Sequence, residues 1–151
     1  MLTSRAMDEL TQRTNALKAM PLLGDLPHGE LEKLAGRLSV EQHRTGSVII
    51  REGASGGAAY FVVNGECEVR REGRRGSKRV ALLKKGDHFG ELSIINPAPR
   101  SASVVALEDA DLLVLTEQDF REALRSNRAM ALHLIRSLAK RLQAREDEFS
   151  G

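Results

Sequence analysis

Residues 89–104 read Phe89-Gly90-Glu91-Leu92-Ser93-Ile94-Ile95-Asn96-Pro97-Ala98-Pro99-Arg100-Ser101-Ala102-Ser103-Val104, and they lie between two predicted strands. Gly90 has no side chain, so the backbone there can approach a ligand closely. Residues 91–95 can form one short helical turn, whose free N–H groups would point at an anion. Glu91 can accept a hydrogen bond from a sugar hydroxyl, and Arg100 is a permanent cation whose planar fork matches phosphate oxygens. The stretch therefore predicts a site for an anionic ligand.

The combination of an acid and a base narrows the class of ligand. A carboxylate would repel a bare phosphate, whereas a ribose phosphate would use both Glu91 and Arg100. The small residues Ser101 and Ala102 leave room around a phosphate, and the serine adds one hydroxyl donor. Considered alone, Glu91 and Arg100 would favour the interpretation of a surface ion pair, which is worth about 0–1 kcal/mol.

The segments around this stretch predict strands flanked by helices. Apolar residues at helical spacing predict helices over 4–20 and 28–38. From 39 to 116 the chain forms short apolar runs broken by glycine, with Asn64-Gly65 as a tight-turn signal between two strands. Such a pattern is typical of a barrel or jelly roll. The predicted fold is α+β, mainly β: an antiparallel jelly-roll β-barrel with N-terminal helices and a short helix within 91–95.

Two further helices are predicted at the C-terminal end, within 117–151. Thr116 is followed three residues later by Asp119, which resembles the start of a capping box. Asn127 is expected to end the first helix, and the second is expected over about 128–147. The whole chain, 1–151, is predicted to form a single domain.

The central stretch resembles the phosphate-binding cassette of cyclic-nucleotide-binding domains of the catabolite activator and cyclic-AMP-dependent kinase regulatory-subunit type. The shared pattern is Phe89-Gly90-Glu91, then apolar and small residues, a short loop, and Pro99-Arg100-Ser101-Ala102 followed by Ser103 and Val104. The nine-residue step from Glu91 to Arg100 is similar to that of the kinase regulatory subunits. Residues 44–53 and 60–69 also resemble the first barrel strands of the family, so the resemblance covers roughly 20–147.

The resemblance implies a role for each cassette residue. Glu91 would accept a hydrogen bond from the ribose 2′-hydroxyl, and Arg100 would pair with the cyclic phosphate. The backbone N–H groups of Leu92, Ser93 and Ala102 would also meet the phosphate. Ser101 occurs at this place in cyclic AMP receptors, although its hydroxyl could also serve cyclic GMP. The full expected ligand-binding set is Phe89, Gly90, Glu91, Leu92, Ser93, Arg100, Ser101 and Ala102, with cyclic AMP as the favoured ligand and cyclic GMP as the alternative.

The final helix is expected to close over the bound nucleotide and to pass the signal on by its movement. The family resemblance implies base-capping residues near Arg145 and Glu146. A homodimer is a second expectation for this helix, through a seam of Leu134, Ile135, Leu138 and Leu142. The sequence shows no effector domain that the nucleotide sensor would regulate. We therefore expect a stand-alone binding protein, a subunit that acts on a separate partner, or part of a larger protein.

Composition and charge exclude several other classes of protein. The 23 basic and 21 acidic residues give a net charge of +2, which is too even to indicate direct nucleic-acid binding. The basic hairpin at 70–79 is expected to be a solvated tip, with acidic lipid or nucleic acid as the alternative partner. A single cysteine, Cys67, indicates a reducing compartment. No signal peptide or apolar run of about 20 residues is present, so a cytoplasmic, non-membrane location is predicted.

Catalysis and metal binding are not expected. His88 lies three residues before Glu91, but His28, His43 and His133 fall on other predicted elements, and no pair has the spacing of metal ligands. His88 is interpreted as an ordinary turn residue. No motif for cyclic-nucleotide hydrolysis is found, so the chain is predicted to be a sensor and not an enzyme. The remaining alternative is a degenerate domain that binds no nucleotide and serves as an interaction or dimerisation module.

Overall fold

The computed structural model describes the backbone of residues 4–150 and their side chains except at 4, 6, 7 and 145–150. Helices enclose a central set of strands at both ends of the chain. In chain order the elements are α1 (Ser4–Lys18), α2 (His28–Arg37), β1 (Ser39–His43), β2 (Val48–Ile50), β3 (Ala58–Asn64), β4 (Cys67–Gly73), β5 (Gly76–Leu83), β6 (His88–Phe89), α3 (Leu92–Ile95), β7 (Ser103–Ala106), β8 (Ala110–Thr116), α4 (Glu117–Ser126) and α5 (Arg128–Ser150).

The strands form two four-stranded antiparallel sheets and not the closed barrel that the sequence predicted. One sheet has the order β1-β8-β3-β6 and the other β2-β7-β4-β5, with no hydrogen-bonded strand pair joining them in the described part of the chain. The edge strands β2 and β6 contain only three and two residues, so they offer few backbone groups for pairing across a seam. The inner faces of both sheets pack into one apolar cluster that includes Val62, Cys67 and Leu112.

The Asn64-Gly65 signal does mark a turn, but the two strands it joins belong to different sheets. β3 ends at Asn64, β4 begins at Cys67, and Gly65 has φ of 84°. A Cβ atom on Gly65 would lie 2.3 Å from the carbonyl oxygen of Asp109, so only glycine fits at this crossing. The turn therefore carries the chain from one sheet to the other.

The helices and one face of the first sheet share a larger apolar core. It contains Leu17 of α1, Leu31 of α2, Phe120 of α4 and Met130 of α5, all almost fully buried. The Oγ1 atom of Thr116 accepts a hydrogen bond from the backbone N–H of Asp119, which confirms the predicted cap of α4. Asn127 separates α4 from α5, as predicted. No described helix has the length and apolarity that a bilayer crossing requires.

The four residues of the last helix that were predicted to form a dimer seam lie in different environments. Leu134 is 3% exposed and packs in the helical core, so it is not available to a second chain. Leu138 packs against the same core and also lines the cleft described below. Ile135 and Leu142 remain exposed. The prediction of one continuous apolar face was therefore wrong for Leu134, because α5 uses that side to hold the helices together.

Candidate functional site

A cleft of about 600 Å³ lies beside the cassette, between the strands β4 and β5 and the helix α5. This volume is in the range of about 300–1,000 Å³ that is usual for small-molecule sites. All the expected ligand-binding residues line it: Phe89, Gly90, Glu91, Leu92, Ser93, Arg100, Ser101 and Ala102. The cassette thus folds into one wall of a concave site.

Arg100 is held from within the protein. Its Nη1 atom donates hydrogen bonds to the carbonyl oxygen of Gly90 at 2.7 Å and to Oγ of Ser93 at 3.0 Å. Its Nη2 atom donates to the carbonyl oxygen of Ala58 at 3.2 Å. The side chain is buried, and these contacts tie the cassette to β3. Arg100 is therefore pre-organised, and it also stabilises the local fold.

Gly90 allows this arrangement of Arg100. The atoms that approach Gly90 closely belong to the protein, whereas the sequence suggested that a ligand would approach here. Its φ is 87°. A Cβ atom here would lie 2.6 Å from the carbonyl oxygen of Ala58 and 3.2 Å from Nη1 of Arg100. A side chain would therefore push β3 and the guanidinium apart. The close approach expected at Gly90 exists, and it brings the cassette backbone against β3 and Arg100.

Glu91 is buried at the same wall, with both of its ion-pair contacts on one oxygen. Oε1 accepts a hydrogen bond from Nη1 of Arg141 at 3.2 Å and lies 3.3 Å from Nδ1 of His88. Burial acts to raise the pKa of the carboxyl, but the His88 ring and the Arg141 guanidinium outweigh it, so the net pKa is lowered. Glu91 is therefore a carboxylate at neutral pH.

Glu91 and Arg100 do not form the surface ion pair that was the alternative interpretation. Neither side chain is on the surface. Among the described side chains, Glu91 pairs with His88 and Arg141, and Arg100 donates only to Gly90, Ser93 and Ala58. An acid and a base are thus held side by side in one cleft without neutralising each other.

The strand wall of the cleft was not predicted from the sequence, and neither were the residues by which the last helix reaches the cleft. Strand residues Val69, Ala81 and Leu83 form an apolar wall, and Leu138 and Leu142 of α5 face the same cleft. Arg141 also comes from α5, fifty residues after Glu91. The alternation of β4 could have indicated Val69, because it shares a side with the buried Cys67. No local pattern indicates which turn of α5 reaches the cassette. The side chains of Arg145 and Glu146, the expected base-capping residues, are not among those that the structure describes.

The tip of the basic hairpin is solvated, as expected, but its two strands also contain an ion-pair cluster that was not expected. Glu68 is buried, and its Oε1 atom accepts from Nε of Arg79 at 2.8 Å and lies 3.2 Å from Nε of Arg70. The hydrogen bond from Arg79 is the main cause of the lowered pKa of Glu68. Arg71 lines the cleft, whereas Arg74, Arg75, Lys78 and Arg79 are exposed. The strands therefore pair Arg70 and Arg79 with Glu68 and leave the tip solvated.

The histidines occupy separate surroundings. His28 contacts Glu32, His43 contacts Glu41 and His133 contacts Asp25. Among the described residues, no three side chains of His, Cys, Asp or Glu come together as metal ligands would. His88 is not an ordinary turn residue, because it lies on β6 and lines the cleft next to Glu91.

A comparison with family models matches residues 40–127 to the cyclic nucleotide-binding domain. This span is more than half of the chain and includes every residue of the cassette.

Two curated relatives resemble the chain over most of its length. The cAMP-dependent protein kinase regulatory subunit of Yarrowia lipolytica is 40% identical over 108 residues, which are 72% of this chain and 28% of that protein. Human cGMP-dependent protein kinase 2 is 35% identical over 123 residues, which are 80% of this chain and 16% of that protein. The chain thus spans less than a third of these relatives.

The fold matches a solved regulatory domain. The regulatory domain of Toxoplasma gondii PKA, solved with cAMP, superposes with a TM-score of 0.82 at 26% sequence identity. The match covers 92% of this chain and 53% of that one. The arrangement of helices and sheets described above is therefore similar to that of a regulatory domain solved with a nucleotide.

Proposed function

The chain belongs to the cyclic nucleotide-binding domain family, and we propose that it binds cyclic AMP in the cleft beside the cassette and acts as a regulatory sensor. The observation that carries this proposal is the separation of Glu91 and Arg100. Both are buried in the cleft, yet each bonds other groups. A ligand with a hydroxyl and a phosphate would satisfy both charges at once. The similarity to cAMP-dependent kinase regulatory subunits favours cyclic AMP.

Arg100 would hold the cyclic phosphate. Its guanidinium is fixed by Gly90, Ser93 and Ala58, so little side-chain entropy is lost when the ligand arrives. The backbone N–H groups of Leu92 and Ser93 precede the first hydrogen-bonded turn of α3, whose bonds run from Ile94 and Ile95 to the carbonyl oxygen of Glu91. These two N–H groups would add donors to the phosphate oxygens, as would that of Ala102.

Glu91 would accept the hydrogen bond of the ribose 2′-hydroxyl. Both of its ion-pair contacts fall on Oε1, so the ligand hydroxyl would donate to Oε2, which has no ion-pair contact among the described side chains. A bare phosphate would gain nothing from this carboxylate and would be repelled by it. Glu91 would therefore select a ribose phosphate over inorganic phosphate.

Signalling would proceed through α5. Arg141 connects this helix directly to Glu91, and Leu138 and Leu142 face the cleft from the same helix. A nucleotide that touches Glu91 and the apolar wall would bind most tightly when α5 lies over the cleft. Such a difference in affinity is what a ligand needs to shift a conformational equilibrium. The population of the closed position would rise with ligand.

The output would lie in a partner or in another domain, and the chain itself would carry no catalysis. The similar proteins include a kinase regulatory subunit, so a kinase-type effector is one candidate partner. Incubation with cyclic AMP should leave the nucleotide intact, and formation of 5′-AMP would contradict this assignment. The cytoplasmic location and the homodimer through α5 stay predictions.

Cyclic GMP is the second candidate ligand. Human cGMP-dependent protein kinase 2 is 35% identical to the chain. In addition, Ser101 borders the cleft next to Arg100 with an exposed hydroxyl, where it could donate to or accept from a guanine.

Isothermal titration with cyclic AMP and cyclic GMP tests the proposal. We expect micromolar or tighter binding, with cyclic AMP preferred, and Arg100→Ala should weaken it. Arg74→Ala, at the solvated hairpin tip, removes a similar charge far from the cassette in sequence and should bind normally. No heat and no thermal stabilisation with either nucleotide would support a degenerate domain that acts as an interaction module.

A further inference from the structure

Strand β4 directs one arginine toward the nucleotide cleft. Side chains alternate along a strand, so Cys67, Val69 and Arg71 share one side of β4. Cys67 is fully buried and Val69 packs against the apolar cluster between the sheets. Arg71, the next residue on this side, lines the cleft. A cation thus lies in line with apolar residues of the inner face.

Arg71 has no protein partner among the described side chains. Its Nε atom is shielded from solvent and makes no hydrogen bond. Its neighbours Arg70 and Arg79 both contact Glu68, on the other side of the strand. Shielded donors are almost always hydrogen bonded in proteins, and an exception needs a physical explanation. The acceptor for Arg71 is expected in the cleft.

The acceptor should be the base of the nucleotide, an inference that rests on the proposed function. Glu91 and Arg100 would already account for the ribose and the phosphate. The wall beside Arg71 consists of Val69, Ala81 and Leu83, which can pack on a flat ring but cannot hydrogen bond to it. In both adenine and guanine, N7 is a hydrogen-bond acceptor. The planar arginine fork suits such an edge.

We propose that Arg71 donates a hydrogen bond to N7 of the nucleotide base. The residue is separate from the cassette and lies on the opposite wall of the cleft. Its contact is with the base, so it adds to the affinity without replacing the phosphate contact of Arg100.

Cyclic AMP and its 7-deaza analogue, in which N7 is replaced by a CH group, test this proposal by calorimetry. The unmodified protein should bind the analogue about tenfold more weakly, as expected for the loss of a hydrogen bond to a charged donor. In Arg71→Met the two nucleotides should bind equally. Arg74→Met is the matched control and should keep the tenfold preference.

Two results would overturn the assignment of Arg71 while leaving cyclic AMP binding intact. One is equal binding of the two nucleotides by the unmodified protein, a result that needs no variant to fold. The other is the same tenfold preference in Arg71→Met, with both nucleotides weakened alike, which would place Arg71 on the phosphate. If the unmodified protein bound no cyclic AMP at all, the proposed function would fail and the Arg71 assignment with it.

Discussion

The protein contains two buried glutamates, Glu68 and Glu91, and each contacts arginine side chains. The arginines come from different parts of the fold. In the β4–β5 hairpin, Glu68 is contacted by Arg70 and Arg79 from its own and the adjacent strand. In the cassette, Glu91 is contacted by Arg141 from the distant α5, while the nearby Arg100 bonds elsewhere. The first cluster neutralises itself locally. In the second, Glu91 pairs with Arg141 and leaves Arg100 unpaired with it, and this difference in pairing is the basis on which the cassette is proposed as a ligand site.

Removal of Arg100 should produce the largest effect. Arg100→Ala is expected to weaken cyclic AMP about tenfold to a hundredfold, the loss of a charged hydrogen bond of about 1.5–3 kcal/mol. It should also lower the free energy of unfolding by about 1 kcal/mol, because the carbonyl oxygens of Gly90 and Ala58 lose their donor. Calorimetry and urea unfolding measure the two effects, and normal affinity would contradict the phosphate role.

Truncation of the two glutamates compares the clusters directly. Glu91→Ala should weaken cyclic AMP about tenfold, because the ribose hydroxyl loses a charged acceptor. Glu68→Ala should leave the affinity unchanged and lower the melting temperature, because two arginines lose their common partner. Binding and thermal melts of the two variants give the comparison. If Glu68→Ala weakened binding as much as Glu91→Ala, the two clusters would not differ in function.

Loss of the α5 contact should have a smaller effect. The Arg141 side chain is 49% exposed, so its ion pair with Glu91 is worth about 0–1 kcal/mol. Arg141→Met should therefore weaken cyclic AMP by no more than about fivefold, mainly through faster dissociation as α5 closes less firmly. Stopped-flow dissociation measures this, with Arg136→Met on the same helix as control. Unchanged dissociation would separate α5 from the site.

The smallest expected effect is the pH dependence of the Glu91 contribution near neutrality. Its pKa is lowered from the ordinary 4.5, so the favourable charge is fully present above that value and is lost only as pH falls through the lowered pKa. The affinity ratio of the unmodified protein to Glu91→Ala should therefore be constant from pH 8 to pH 6. His88 and Arg141 face the carboxylate, and the ratio cancels effects that both proteins share. A ratio that falls over this range would mean that Glu91 titrates near neutrality.

The cassette residues that the sequence singled out all line one cleft, because the members of the cassette are close in the chain. The contacts of Arg100 with Gly90 and Ser93 and the cap of α4 at Thr116 depend on neighbours within about ten residues. The pairing of Glu68 with Arg79 was not predicted, since it depends on strand register across β4 and β5. The Arg100 contact with Ala58 depends on β3, which is distant in sequence.

The open sheets and the reach of α5 depend on long-range packing. Short edge strands leave the sheets unjoined, which the glycine pattern alone could not indicate. The apolar spacing of α5 predicted a helix with an apolar stripe, but Leu134 turns to the core while Leu142 stays exposed. The placement of Arg141 on Glu91 follows only from the way in which α4 and α5 pack on the sheet.

The most direct test of the central claim removes one atom of the ligand. Calorimetry should compare cyclic AMP with 2′-deoxy cyclic AMP, on the unmodified protein and on Glu91→Ala. If Glu91 stays unpaired with Arg100 in order to hold the ribose, the unmodified protein should bind the deoxy nucleotide about tenfold more weakly, and Glu91→Ala should not distinguish the two. Equal binding of both nucleotides by the unmodified protein would contradict the account.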